Sequence, residues 1–299
     1  MGLEIEKYLA GNDYVEIKTG QSGASVYNLG EKMILKHIVR NNLKDGLFDS
    51  YCREALFYQC KMQEGVSYLP KILDFKISDD EIMILMQKYK QPGRENVSEE
   101  LLRKIAGALA CVHADSKPEF LCKDVEQAKT MPEERVEYCL NGWRNVLAEH
   151  PKAFSEDPLY HIAEMINDVI KWHDSEKKVL IHGDFHWDNL LEEDGSILIC
   201  DWQGVGIGGA SGDVSFFLSR LGADGITIDE KRFFGLYSDE VKARTGVLVD
   251  VDEITRHVAA ANVITSFSFW HEFLHGNEEA RVRGIYDKMV QDFNVFENA

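Results

Sequence analysis

With 299 residues, 44% of them hydrophobic and 28% charged, the chain has apolar material for one large domain or two lobes, which excludes a disordered protein. Asp and Glu number 51 against 33 Lys and Arg, a net charge of −18. An acidic surface disfavours binding to the phosphate backbone of a nucleic acid, and it is compatible with a cationic small molecule as well as with plain solubility. No window approaches the ~18–20 apolar residues of a membrane span. The N-terminal stretch lacks the basic start and long apolar core of a secretory signal, and Glu6 stands where a myristoylation motif needs Ser or Thr. The six cysteines are scattered without a C-x-x-C pair and read as reduced thiols, so a cytoplasmic protein is expected.

The first ninety residues read as strands around one helix. "YVEIKTGQSGASVYNLGEKMILKHIV" alternates apolar and polar residues on both sides of a glycine-containing turn, which predicts two or three antiparallel strands. "DSYCREALFYQCKMQEG" has helical spacing at Ala55, Leu56, Tyr58 and Met62, with Asp49 or Ser50 as the expected cap and Gly65 as the stop. "LPKILDFKISDDEIMILMQKY" predicts two more strands joined at "SDDE". Pro92 and Gly93 make Lys90–Asn96 the expected linker. Ser98 then opens a strong helical pattern with apolar residues at 101, 102, 105, 109 and 112. Two or three further helices are expected between about 124 and 177, and helices again from about Gly212 to the end.

Between those helical runs lies "VLIHGDFHWDNLLEEDGSILICDWQGVGIGG", two apolar segments that end in polar clusters. The first ends at Asp184, with Asn189 five residues on, and the second ends at Asp201. A hairpin of this size is expected to set the two strand ends side by side and converge two carboxylates and a carboxamide. Few hard oxygen ligands suit Mg²⁺, and a further carboxylate can accept a proton from a nucleophile. Each residue alone reads as a turn former; the set at this spacing reads as a site.

Upstream, Gly20, Ser22 and Gly23 form a small-residue turn whose N–H groups could approach phosphates, although most such turns are only hairpins. Lys36 stands inside an apolar strand, where its ammonium must either snorkel to water or find a counter-charge, and Glu54 on the following helix is available.

In order along the chain, "GQSGASVY", Lys36, Glu54, "HGDFHWDN", "DWQ" and "GDVSFFL" resemble the aminoglycoside phosphotransferase and choline kinase superfamily of small-molecule kinases. The resemblance implies an α+β, protein-kinase-like two-lobed fold: an N-terminal antiparallel sheet with one main helix over 1–89, a linker over 90–97, and a larger, mostly helical catalytic lobe over 98–299. It implies Asp184 as catalytic base, Asn189 and Asp201 as Mg²⁺ ligands, and Lys36 with Glu54 at the phosphates of ATP or GTP. The nucleotide base is expected on the backbone from Gln87 to Tyr89. Gly183 and Gln203 depart from the protein-kinase pattern, and no activation segment follows, which favours a small-molecule acceptor. An aminoglycoside or other amino-bearing compound is the leading acceptor. A choline- or ethanolamine-like compound, a sugar or other metabolite, and an inert nucleotide-binding sensor on the same fold stay open.

His182 and His186, with Cys200, do not have the helical spacing of a zinc site and are expected to stiffen the loop by hydrogen bonds. Asp213 is expected to cap the helix that follows it, or, as the resemblance implies, to support the catalytic loop. Trp187, Trp202, Trp270 and Tyr286 divide between core packing and the wall of an acceptor pocket. Trp202, Trp270 and Glu272 are the named candidates to contact the acceptor beside Asp184, through cation–π attraction for the rings and charge for Glu272. Asp188 is expected to be a turn residue with no catalytic part.

Overall fold

The computed structural model describes residues 5–11, 13–17, 23–44, 46–95, 97–122 and 130–298. The chain opens with helix α1 (Ile5–Ala10) and strands β1 (Tyr14–Ile17), β2 (Ser25–Leu29) and β3 (Met33–Val39). Helix α2 (Leu47–Glu64), strands β4 (Ile72–Ile77) and β5 (Glu81–Gln87) and helix α3 (Glu99–Ala114) follow. Next come the short α4 (Glu119–Cys122), then α5 (Glu133–Ala148) and α6 (Asp157–Asp174). Four short strands, β6 (Lys178–Ile181), β7 (Leu190–Glu193), β8 (Ser196–Ile199) and β9 (Gly206–Gly209), interrupt the helices. The chain ends with α7 (Ala210–Ala223), α8 (Glu230–Thr245), α9 (Val251–Phe269) and α10 (Glu279–Glu297).

Contacts divide the chain into two compact units. The first holds Met1–Pro118 and His182–Gly206, the second Glu119–Ile181 and Ile207–Ala299. The linker expected at 90–97 falls within the first unit. The region around that linker is stitched to the catalytic stretch by an antiparallel bridge between Lys90 and Glu192 and by the Trp187 indole N–H, which donates to the Pro92 carbonyl at 3.0 Å. Gln91 and Arg94 both bind Asp188, which is thus more than a turn residue.

The first unit is built on a five-stranded antiparallel sheet in the order β1-β2-β3-β5-β4. Alternation sorts the central strand: Leu35 packs with Leu29, Met83 and Leu85 under Tyr8 and Leu9 of the N-terminal helix. Lys36, one residue on, points to the opposite face, where it meets Glu54 of α2. Helix α2 starts earlier than its sequence suggests. Gly46 at φ 82° is its N-cap, not Asp49 or Ser50, because Leu47 and Phe48 add apolar positions upstream and Phe48 is buried. Asp49 lies in the first turn, where a carboxylate suits the helix dipole. The expected stop is met: Gly65 is left-handed, and its N–H donates to the Lys61 carbonyl. The Ser98 side chain caps α3 by accepting the Leu101 N–H at 3.2 Å.

In the second unit, α5, α6, α9 and α10 enclose a core around Trp143, Ile162, Ile166, Phe267 and Met289. The Trp143 indole N–H is satisfied by the Ser266 and Phe267 carbonyls, both at 3.2 Å. Asp213 is not a cap. It lies inside the first turn of α7, buried, and the Ser211 N–H at that helix start donates to Glu176 at 3.1 Å. Among the described residues no helix is long and apolar enough to cross a membrane, and all six cysteines are free thiols.

Candidate active site

The strand pairing around the catalytic stretch differs from the expected hairpin. β6 pairs with β9, and a separate hairpin, β7–β8, stands between them. The turn of that hairpin is Asp194-Gly195 at φ 48° and 80°, the left-handed pair of a two-residue hairpin loop. Its register, Leu190 opposite Ile199, still brings Asn189 and the segment before Asp201 to one end of the ladder. The Cys200 N–H donates to the Asn189 carbonyl at 2.9 Å. The chemistry-bearing residues therefore converge through a different pair of strands from the one expected.

His182 closes the loop. Its Nδ1 accepts the Asp184 N–H at 3.2 Å and its Nε2–H donates to the Cys200 carbonyl at 3.0 Å, a neutral tautomer set by its two partners. The fully buried ring packs edge-on against Trp202 at 4.6 Å. This is the stiffening role expected for it, and with both nitrogens committed it is no zinc ligand. Burial pushes the Cys200 thiol up to about 12, which further removes it as a metal ligand. His186 accepts the Asp188 N–H at 3.3 Å through Nδ1 and holds Nε2 3.6 Å from the Asp184 carboxylate.

Gly183 is required by close packing. Its φ is +79°, and a Cβ there would stand 2.1 Å from the Gly204 carbonyl oxygen. The first strand end and the "DWQG" segment thus cross backbone on backbone.

Asp184 is half-exposed at the loop tip. The Asn189 amide Nδ2 donates to the Asp184 carbonyl at 2.9 Å and lies 3.4 Å from its carboxylate. Because the amide's N–H groups face Asp184, Oδ1 is the atom that Asn189 offers to a cation. Asp201 sits on a strained, left-handed backbone, φ 65° and ψ 64°, uncommon for a residue with a side chain.

Lys36 spans two carboxylates, donating to Glu54 Oε2 at 2.7 Å and to Asp201 Oδ1 at 2.8 Å. Its ammonium also lies 4.9 Å from the centroid of the Tyr51 ring, a partner that sequence reasoning missed. Burial alone would lower the Lys36 pKa, but the two carboxylates outweigh it and raise it above the ordinary value. Burial pushes Glu54 up, with Lys36 opposing. Burial also raises Asp201, but Lys36 and the Gln203 amide, 2.6 Å away, win and hold it below the usual carboxylate range. Gln203, remarked on in the sequence only as a departure, is thus an Asp201 partner.

The site fits a hard divalent cation. Asn189 Oδ1 and the second oxygen of Asp201 have no protein partner among the described residues, and the Asp201 side chain is 38% exposed. Two oxygen donors with room for water and phosphate oxygens suit Mg²⁺.

Other expected residues fall as follows. Gly20 and Ser22 lie outside the described residues. Gly23 is left-handed at φ 78°, with a Cβ position 2.9 Å from the Leu43 side chain. At the end of β5 the Gln87 N–H is committed to the Lys71 carbonyl and the Lys88 N–H to Lys32, both across the sheet. The Tyr89 N–H has no partner among the described residues, so it is the free donor of that segment. Trp202 is corrected. It is fully buried, stacked on Phe57 at 4.4 Å beside Tyr68, and its indole N–H donates to the Ile199 carbonyl, so it is a core residue and not a pocket wall. Trp187 and Tyr286 are likewise buried. Trp270 and Glu272 belong to the second unit. Trp270 lines a cavity of about 490 Å³ there with Glu230, Asn262, Lys288 and Asp292. Glu272 already faces Arg135 at 3.7 Å and accepts from the Tyr138 hydroxyl at 3.3 Å, so its charge is partly used.

An antiparallel sheet whose Lys36 meets Glu54 of the helix that follows, then an acidic stretch and a helical unit, make up a protein-kinase-like fold. The chain belongs to the phosphotransferase enzyme family, whose profile matches residues 17–244. No curated protein matches its sequence. Solved structures match it almost end to end. An ADP-bound aminoglycoside phosphotransferase has 14% identity and a TM-score of 0.57, with 98% of this chain and 97% of that one covered. An ethanolamine kinase of Plasmodium vivax has 15% identity and a TM-score of 0.59, covering 99% and 85%. A spectinomycin phosphotransferase, solved with ADP and spectinomycin, has 14% identity and a TM-score of 0.57, covering 96% and 90%. Family and fold make this protein a kinase that transfers phosphate to a hydroxyl.

Proposed function

We propose that the protein transfers the γ-phosphate of ATP or GTP to a hydroxyl of a small, amino-bearing acceptor. The observation that supports this best is the single constellation of Lys36, Glu54 and Asp201 beside Asp184 and Asn189 in one compact unit.

Phosphoryl transfer has a loose transition state, so the protein mainly positions groups and neutralises charge. In this reading Lys36 binds the phosphates, and Glu54 fixes the direction of its ammonium. Asp184 orients the acceptor hydroxyl and takes its proton at the carboxylate. A carboxylate is a weak base, so alignment counts for more than basicity. His182 holds the Asp184 backbone in place. Asn189 Oδ1 and Asp201 would hold Mg²⁺, which when bound supplies charge neutralisation at the phosphate oxygens. Gly20, Ser22 and Gly23 would contact the phosphates, and Tyr89, two residues after Gln87, would offer its N–H to the base.

The acceptor class rests on two supports. The similar kinases named above are an aminoglycoside phosphotransferase, an ethanolamine kinase and a spectinomycin phosphotransferase. The chain's net charge of −18 attracts cations. An ethanolamine- or choline-like acceptor is as compatible with these as an aminoglycoside. A cytoplasmic location agrees with free thiols throughout the described residues.

The decisive experiment is Mg-ATP and Mg-GTP turnover across a panel of amino-alcohols, aminoglycosides and sugars. Acceptor-dependent release of ADP or GDP is expected, with Asp184→Asn lowering kcat by ~10²–10⁴-fold while nucleotide affinity changes little. Nucleotide binding without turnover on every acceptor would make the protein a sensor. An unchanged rate in Asp184→Asn would remove Asp184 as the base.

A further inference from the structure

We propose that His173, Glu176 and His257 form a binding site for a zinc-like transition metal ion, separate from the phosphotransfer centre. The three residues belong to the second unit. His173 is in the last turn of α6, Glu176 follows that helix and His257 is on α9, and one ligand atom of each lies within 4.8 Å of the others.

The donors are held in place. Ser211, in the first turn of α7, donates its hydroxyl to Glu176 Oε2 at 2.5 Å and stands 3.3 Å from His173 Nδ1. A hydroxyl bridging a carboxylate and an imidazole is the kind of outer partner that orients metal ligands. Gly209 gives the carboxylate its room, since a Cβ there would stand 2.1 Å from Glu176 Oε2. The His257 ring is fixed by near-parallel stacking on Trp172, 5.2 Å between centroids and 12° between planes.

Glu176 has a second explanation, as acceptor of the Ser211 N–H at the start of α7. That cap accounts for neither histidine. His257 is 5% exposed, and its Nδ1 is buried with no hydrogen-bond partner among the described residues. Buried polar atoms are rarely left so, and a bound ion is one of the standard reasons.

The donor set names the metal class. Two imidazoles and one carboxylate, with a fourth position for water, match zinc, whereas Mg²⁺ and Ca²⁺ prefer all-oxygen shells. The ion would clamp the end of α6 and its following turn to α9, next to the start of α7.

The test is a titration of metal-free protein with Co²⁺, in the presence of excess Mg²⁺ to fill the hard site. The expected result is one equivalent bound, with the visible absorption of four-coordinate Co²⁺, displaced by Zn²⁺ and accompanied by a higher Tm. His173→Gln and His257→Gln should each lower affinity by about 100-fold or more, and Ser211→Ala by about 10-fold. If a histidine variant does not fold, Glu176→Gln serves instead, since its amide oxygen can still accept the Ser211 N–H. No visible band at one equivalent, a band unchanged in these ligand variants, or thiolate-to-cobalt charge transfer that marks cysteine binding would each overturn the proposal.

Discussion

The Lys36 ammonium and the Asp201 carboxylate, 165 residues apart in sequence, are joined by a 2.8 Å hydrogen bond, and Glu54 holds the same ammonium from the other side at 2.7 Å. One cation shared by two anions leaves a net negative site, into which a divalent cation fits without a further counter-charge. Glu54 is the member most exposed to loss, because it is fully buried while Asp201 is not.

Removing the lysine therefore strands Glu54. Lys36→Met is expected to destabilise the protein by about 3–5 kcal/mol, as for a broken buried ion pair. Lys36→Met combined with Glu54→Gln should cost less than the sum of the singles, with a coupling of about 1 kcal/mol or more. Urea unfolding of the four proteins measures this. Additive costs would show that Glu54 does not depend on Lys36.

Gly183 gives the most severe expected backbone effect. Ala at 183 meets both a φ of +79° and the Gly204 carbonyl at 2.1 Å, and the obstacle is backbone, not a side chain that can rotate away. The Gly183→Ala variant should lose more than ~2 kcal/mol and most of its turnover. The matched control, Gly93→Ala, has open space at its Cβ position and should stay within about 0.5 kcal/mol of the parent in thermal melts.

Much of this was legible in the sequence, for definite reasons. Lys36 and Glu54 could be paired because a lysine inside an apolar strand requires a counter-charge, and the next helix carried one. Gly65 and Ser98 were legible because capping is local chemistry. The strand pairing was not. β6 and β8 both end in polar clusters and look like partners, yet the Asp194-Gly195 turn already closes a shorter hairpin, and β6 must find β9 further on. Trp202 was misread because its neighbours in sequence are catalytic while its neighbours in space, Phe57 and Tyr68, are core. Asp201 as a second partner for Lys36, and Tyr51 beneath it, depend on tertiary contacts that periodicity does not encode.

His182 fixes the backbone at both loop ends, its Nδ1 accepting the Asp184 N–H and its Nε2–H donating to the Cys200 carbonyl. It is a positioning residue. His182→Ala should lower kcat by about 10²-fold through misalignment, with nucleotide KM nearly unchanged. His182→Gln, which can present an oxygen and an N–H, should recover part of that loss. If Gln fared no better than Ala, the hydrogen bonds would not be what His182 supplies.

Asp292 of α10, in the second unit, gives a pH-dependent prediction. Burial raises its pKa above the ordinary value, opposed by Lys288 at 3.0 Å and by the Asn262 amide. A carboxyl whose pKa is raised on folding binds its proton more tightly in the folded state. Its stabilising contribution is therefore full below the unfolded value of about 3.8 and is lost as pH rises through the folded value. Asn at 292 keeps an oxygen to accept from Asn262 and has no charge to bury. Asp292→Asn should thus gain stability relative to the parent as pH rises from about 4 towards neutrality, with the difference levelling off once Asp292 is ionised in both states. Urea melts of the two proteins at intervals across that range measure the difference directly. A difference that shrinks with rising pH would mean that Lys288 and Asn262, rather than burial, set the protonation of Asp292.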